Sequence, residues 1–259
     1  MIDHISPSML GLFCRCQEAF KRRYLDGDII PPGVAACIGT GVHRAAEANH
    51  RQKISSGVDL SVEELQDTAR DGFVKSLEKG VFLTEEEKAD AQTVLGNGAD
   101  TAVTITGAYA EKVAPTITPA LVEEKLTAEI PGLEIPMLGI IDLFDKANRT
   151  KDFKTSGKKW TAGKAENEMQ PPIYDWLLRE NGFQPEGFDF EVLTHKGDHQ
   201  HLEVTPHAED MGPIITRAKA LIESTKRGDF LPAEPGHWMC GPKWCGYYYT
   251  CPHIPEYRK

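Results

Sequence analysis

The chain has 259 residues, 40% of them hydrophobic and 26% charged, which suffices for one large domain or two small ones and excludes wholesale disorder. A formal net charge of −10 excludes a surface that attracts duplex DNA everywhere, while leaving room for a local basic channel. No apolar run reaches bilayer length, and "MIDHISPSML" lacks the basic and apolar regions of a secretory signal, so a soluble cytoplasmic protein is expected.

The chain holds no internal repeat and no low-complexity segment. Ser6 or Ser8 is placed to cap a first helix, with Pro7 tolerated in its first turn. Leu10, Phe13, Phe20 and Tyr24 give that helix an apolar stripe beside Lys21, Arg22 and Arg23. "GDIIPPGVA" then breaks the chain, and a second helix is expected in "GTGVHRAAEANHRQ". Helical patterns follow over Val62–Lys79 and Glu85–Val113. The character changes at Pro115–Pro119. "ALVEEKLTAEIPG" and "EIPMLGIIDLFDKANRTKDFK" predict three strands, separated by Pro-Gly and Asn-Arg turns. A helix over Met169–Glu180 comes next, then strands over Phe188–Leu193 and His201–Val204 joined by a polar turn. A helix over Pro206–Arg227 leads into a cysteine-rich tail. This order predicts an α/β domain with a helical insertion on its N-terminal side.

Asp142 interrupts the apolar run "MLGIIDLF", and Asp152 and Lys154 follow in "TKDFKTSG". Strand alternation puts Asp152 and Lys154 on one face and Phe153 on the other. Two converging carboxylates suit Mg²⁺ or Mn²⁺, and a neighbouring lysine can orient the attacking water. Taken alone, Asp-x-Lys is an ordinary strand-edge pair. His43, at the start of a helix, can complete a metal shell, although a helical histidine is more often a core or surface residue. Gln170 and Tyr174 lie four apart, hence on one helical face. Lys158, Lys159, Trp160 and Lys164 put positive charge and a stacking ring beside Lys154, as a single-strand channel would.

Six cysteines in a reducing compartment point to metal or cluster ligation rather than disulfides. "CGPKWCGYYYTCP" supplies Cys240, Cys245 and Cys251, at a spacing looser than that of zinc ribbons. Thiolates of this kind suit iron–sulfur or zinc. Cys37 fits no motif and reads as a small buried residue.

The order His43, Asp142, Asp152-Phe153-Lys154, Gln170, Tyr174 resembles the PD-(D/E)XK nuclease superfamily. In particular it resembles the RecB-like exonucleases, which include CRISPR-associated and phage-encoded single-domain forms and the AddB nuclease domain. "ISPSMLGLFCRCQEAFKRRYL" is similar to that group's N-terminal motif. The resemblance implies a restriction-endonuclease-like core, a central mixed sheet flanked by helices, within a single nuclease domain over residues 1–259. Residues about 26–115 would form the helical insertion, about 116–205 the catalytic sheet core, and 234–253 the cluster tail. The implied activity is that of a divalent-metal-dependent DNA exonuclease acting on single strands or ends, in recombination, repair or phage DNA processing. Its macromolecular partner would be DNA, with recombination or CRISPR partner proteins unidentified. A catalytically silent nucleic-acid-binding subunit of the same fold is the alternative, and a zinc-stapled structural protein a third reading.

By the same resemblance, His43, Asp142, Asp152 and the Phe153 backbone carbonyl would hold Mg²⁺ or Mn²⁺, and Glu123 or Glu124 would offer a further carboxylate. Lys154 would orient water or stabilise developing charge, while Gln170 and Tyr174 would contact nucleic acid and support the lysine. Lys158, Lys159 and Trp160 would contact the strand. Cys16, Cys240, Cys245 and Cys251 would hold a [4Fe–4S] cluster, with zinc as the alternative, stapling the two ends of the chain together. Gln17 stands where the family usually has proline, which leaves Cys14 open as the first ligand.

Overall fold

A computed structural model describes residues 2–254. Helix α1 (Pro7–Arg15) is capped by Ser6, whose hydroxyl accepts from the Met9 amide at 3.3 Å. The single helix expected here is two. Cys16 is extended, with φ −162°, and α2 (Gln17–Tyr24) starts after it. Gln17 is no helix breaker; a tertiary contact makes the break. Its amide donates to the Leu231 carbonyl at 3.0 Å, and its side-chain oxygen accepts from the Leu231 amide at 3.0 Å.

Helix α3 (Val34–Ser56) begins five residues before the glycine where it was expected. Helix α4 (Val62–Leu77) opens on a reciprocal cap between Ser61 and Glu64. The one long helix expected over Glu85–Val113 is also two, α5 (Glu85–Lys88) and α6 (Ala91–Lys112), because Asp90 leaves the helical region at φ −141°, ψ 52°. Helices α3 and α4 approach so closely that a Cβ on Gly41 would stand 2.5 Å from the Ala69 carbonyl oxygen.

Strands β1 (Pro119–Glu129), β2 (Pro136–Asp145), β3 (Arg149–Ser156), β4 (Gly187–Thr194) and β5 (His199–Val204) form one mixed sheet in sequential order. Only β3 and β4 run parallel, and α7 (Ala162–Glu166) and α8 (Gln170–Glu180) make that crossover. Helix α9 (Met211–Arg227) starts five residues later than expected, after a short 3₁₀ turn at Ala208–Asp210. Helices cover both faces of the sheet, so the fold is α/β. One face packs Val122, Leu143, Phe153 and Leu193 against α3, α4 and α6. The other packs Met137, Ile141, Phe188 and Phe190 against α1, α8 and α9. Among the described residues, no helix is long and apolar enough to cross a membrane.

Two irregularities shape the middle of the sheet. Strand β2 pairs with β1 along nearly its whole length, but with β3 only at Leu143↔Lys151 and Phe144↔Thr150. Beyond those positions β2 and β3 splay apart. Residues two apart in a regular strand share a face, yet Ile141 and Leu143 pack into opposite cores, and Val122 and Leu126 do the same. Both strands therefore exchange faces around Glu123 and Asp142. Glu123 takes φ +49°, left-handed backbone that is uncommon outside glycine.

Candidate functional site

The splay leaves the Phe153 backbone without a strand partner on the β2 side, and two side chains take its place. The Phe153 amide donates to Asp142 Oδ2 at 3.1 Å, and His43 Nε2 lies 2.8 Å from the Phe153 carbonyl oxygen. Behind it, the Phe153 ring stacks on His50 at 5.7 Å and meets Tyr109 edge-on. With Nε2 donating to the carbonyl, a neutral His43 turns its Nδ1 lone pair towards Asp142 Oδ2, 3.4 Å away. Two acceptors so placed need a proton or a metal ion between them.

Glu123 closes the group. Val122 pairs with Leu143 and Glu124 with Ile141, which sets Glu123 across from Asp142, while Glu124 is exposed. His43, Glu123 and Asp142 each bring one ligand atom within 4.8 Å of the others. Burial, with Asp152 nearby, pushes Asp142 up to about 6. Burial, with Asp142 nearby, pushes Glu123 up to about 7. Carboxylates crowded in this way favour a shared cation.

Asp152 lies outside that group of three. Its Oδ1 accepts from Gln170 Nε2 at 3.2 Å, and Lys154 Nζ stands 2.6 Å from its Oδ2. Lys154 is thus the partner of that buried oxygen. Lys154 donates to Gln170 Oε1 at 2.7 Å, and Gln170 Nε2 also reaches the Tyr174 hydroxyl at 3.2 Å. Burial works against charge on Lys154, but Asp152 and Asp142 outweigh it and hold the ammonium above its ordinary range. Burial, with Asp152, also raises the Tyr174 phenol. An oxygen-rich donor set and one imidazole together fit Mg²⁺ or Mn²⁺.

Trp160 is partly buried. Its backbone is clamped from both sides by the Gln200 amide (2.8 and 3.0 Å), and its ring lies 5.3 Å from Phe190 with Lys164 Nζ 3.6 Å over it. Lys158 and Lys159 are exposed.

Away from this cleft, Cys16, Cys240, Cys245 and Cys251 line one cavity of about 430 Å³ with Arg22 and Tyr247, whereas Cys14 does not line it and Cys37 is buried in the helical core. Among the described residues, no three of these thiols come within 4.8 Å of one another. Arg22 ties the tail to α2, donating to the Thr250 hydroxyl (2.9 Å) and carbonyl (2.8 Å) and lying over the Tyr247 ring. Tyr247 donates to the Asp28 carbonyl at 2.5 Å.

Sequence reasoning missed a second charged cluster, on the opposite face of β3 and β4. Asp189 is fully buried and receives Arg149 at two nitrogens and Lys151 at 2.7 Å. Buried Glu191 is met by His199 Nε2 at 2.6 Å and His201 Nδ1 at 3.0 Å. The only signal was the alternation of charge in "RTKDF" and "HQHLEV", unreadable without the register of the strands.

Residues 4–252 match the family model of the PD-(D/E)XK nuclease superfamily. The crystal structure of a presumed exonuclease from Eubacterium rectale superimposes with a TM-score of 0.60 at 14% identity, covering 92% of this chain and 86% of that one. At that identity the likeness concerns the fold alone. The structure of SSO0001 superimposes at 0.39 with 16% identity, over 80% of this chain and 94% of that one, and carries no argument. Among curated proteins, none matches significantly.

Proposed function

The chain belongs to the PD-(D/E)XK nuclease superfamily, and from that membership and the chemistry of its cleft we propose a divalent-metal-dependent deoxyribonuclease that acts as an exonuclease on single-stranded DNA or DNA ends. The observation that carries this reading is the fork between β2 and β3. It gathers His43, Asp142 and the Phe153 carbonyl beside the Asp152–Lys154 ion pair. These groups would hold Mg²⁺ or Mn²⁺, which when bound lowers the pKa of a water and shields the scissile phosphate. Lys154, kept charged beside Asp152, would orient the attacking water and stabilise the charge that develops on phosphorus-bound oxygen. Gln170 fixes Lys154 through its oxygen and Asp152 through its nitrogen, and Tyr174 holds Gln170 in turn. Exposed Lys158 and Lys159 would meet the phosphate backbone beside the cleft. Cytoplasmic DNA recombination, repair or phage DNA processing is the matching biological setting.

We further propose that Cys16, Cys240, Cys245 and Cys251 hold a [4Fe–4S] cluster, supported by their common cavity. Its role would be to staple α2 to the tail, far along the chain from the cleft residues.

Anaerobically purified protein with end-labelled single-stranded DNA, its circular counterpart and Mn²⁺ tests the activity. Release of mononucleotides from the linear strand alone is expected. Cleavage of circles would replace the exonuclease with an endonuclease. Binding without cleavage in both Mn²⁺ and Mg²⁺ would replace the enzyme with a silent binding subunit.

A further inference from the structure

Glu123 is an anomaly that a strand would avoid without a reason. Its backbone sits at φ +49°, where a side chain with a Cβ is strained. Its carboxylate stands directly across the sheet from that of Asp142, a like-charge pairing that destabilises an antiparallel ladder. Among the described residues it accepts no hydrogen bond and joins no ion pair, although it is half-buried. The neighbouring Glu124 on the same strand is exposed and pays none of these penalties.

The two strands also exchange faces at this point. Val122 packs under α3 and α6, and Leu126 packs on the opposite core; Leu143 and Ile141 do likewise in β2. The left-handed residue lets β1 follow the face exchange of β2, and it leaves the Glu123 side chain in the cleft beside His43. That cleft is an open volume of about 490 Å³, lined also by Gly39, Thr40 and Ile140.

We infer that Glu123 is a ligand of the cleft cation, delivered by this built-in distortion of β1, so that the cation is held from β1 and α3 as well as from β2 and β3. The inference rests on the metal-dependent reading of the cleft and adds a residue to it. His43, Glu123 and Asp142 then form one side of the coordination shell, their ligand atoms already within 4.8 Å of one another. Asp152, held by Lys154 and Gln170, lies outside that group. Carboxylate count is a main determinant of affinity for hard cations, so losing Glu123 weakens binding even when no nucleic acid is present.

The test is Mn²⁺ binding to the purified chain without DNA, by isothermal titration and by Mn²⁺-induced thermal shift. Glu123→Gln keeps the strained backbone and removes the charge; Glu123→Gly removes both. Glu123→Gln is expected to weaken Mn²⁺ at least tenfold and to abolish most of the thermal shift. Glu123→Gly is expected to lose Mn²⁺ equally while melting about 2–4 °C higher than wild type in EDTA, as released strain of roughly one kcal/mol implies for a chain of this size. Wild-type Mn²⁺ affinity in a folded Glu123→Gln variant would overturn the inference. So would a failure of the wild type to bind Mn²⁺ at all. If Mn²⁺ binds in a Glu123-dependent way but no nucleic acid is degraded, the ligand assignment stands and the nuclease reading falls.

Discussion

The sheet carries two groups of acids, one behind β3 and β4 and one in the cleft where β1, β2 and β3 meet, and the two are treated in opposite ways. Behind the sheet, Asp189 and Glu191 are surrounded by Arg149, Lys151, His199 and His201. Burial pushes both acids up, yet hydrogen bonds and charges from those neighbours outweigh it and hold both below the ordinary carboxylate range. In the cleft, Lys154 pairs with Asp152 and His43 lies beside Asp142, while Glu123 joins no ion pair among the described residues and burial raises both Glu123 and Asp142. Every acid of the first group is compensated by the chain itself. The second group is compensated only in part. The contrast separates charge that holds the fold together from charge that waits for a ligand, and it does so without reference to any relative.

Breaking each cluster should have opposite consequences. Asp142→Asn is expected to cut nuclease turnover by on the order of 10²–10³-fold or more, while leaving the denaturant midpoint of the metal-free chain unchanged or higher, since it removes repulsion. Asp189→Asn is expected to cost about 3–5 kcal/mol of stability, because Arg149 and Lys151 are left facing a neutral amide in a buried site. Urea titration of the two variants side by side reads that difference.

The pH dependence sharpens the same contrast. Asp142 and Glu123 have folded pKa values of about 6 and about 7, above their unfolded values, so their contribution is present below about pH 4 and is lost as pH rises through 6 to 7. Asp189 and Glu191 are lowered, so their contribution is present above the unfolded carboxylate range and is lost as pH falls below it. Melting curves in EDTA should therefore show the cleft working against the fold near neutrality, and the gain on adding Mn²⁺ should grow between pH 5 and 8 as metal replaces protons. The smallest effect belongs to Lys164, whose ammonium covers Trp160. Lys164→Ala should change stability by no more than about 1 kcal/mol, with a red-shifted tryptophan emission as the ring meets water.

Much of the sheet could be read in the sequence, because strand alternation and turn residues are local signals. The "NR" turn, with Asn148 at φ 58° and the Asp145 carboxylate accepting from two following amides, is such a signal. The helix boundaries that differ were set from a distance. α1 ends because Leu231, more than two hundred residues away, takes the hydrogen bonds of Gln17. The choice between Glu123 and Glu124 was equally closed to pattern reading, since alternation assumes a strand that keeps its faces and β1 does not. Phe190 and Lys164 lie against Trp160, contacts that composition does not reveal.

The account stands most directly on Asp152, which sits on the same strand as Lys151 but on the other face. Wild type and Asp152→Asn should be compared in a single preparation series, for Mn²⁺-dependent degradation of end-labelled single-stranded DNA and for melting temperature. The expected result is degradation by the wild type alone, abolished by EDTA, with both chains melting within a few degrees of each other. Undiminished degradation by Asp152→Asn would contradict the assignment of this cleft as the place where the phosphodiester is cut.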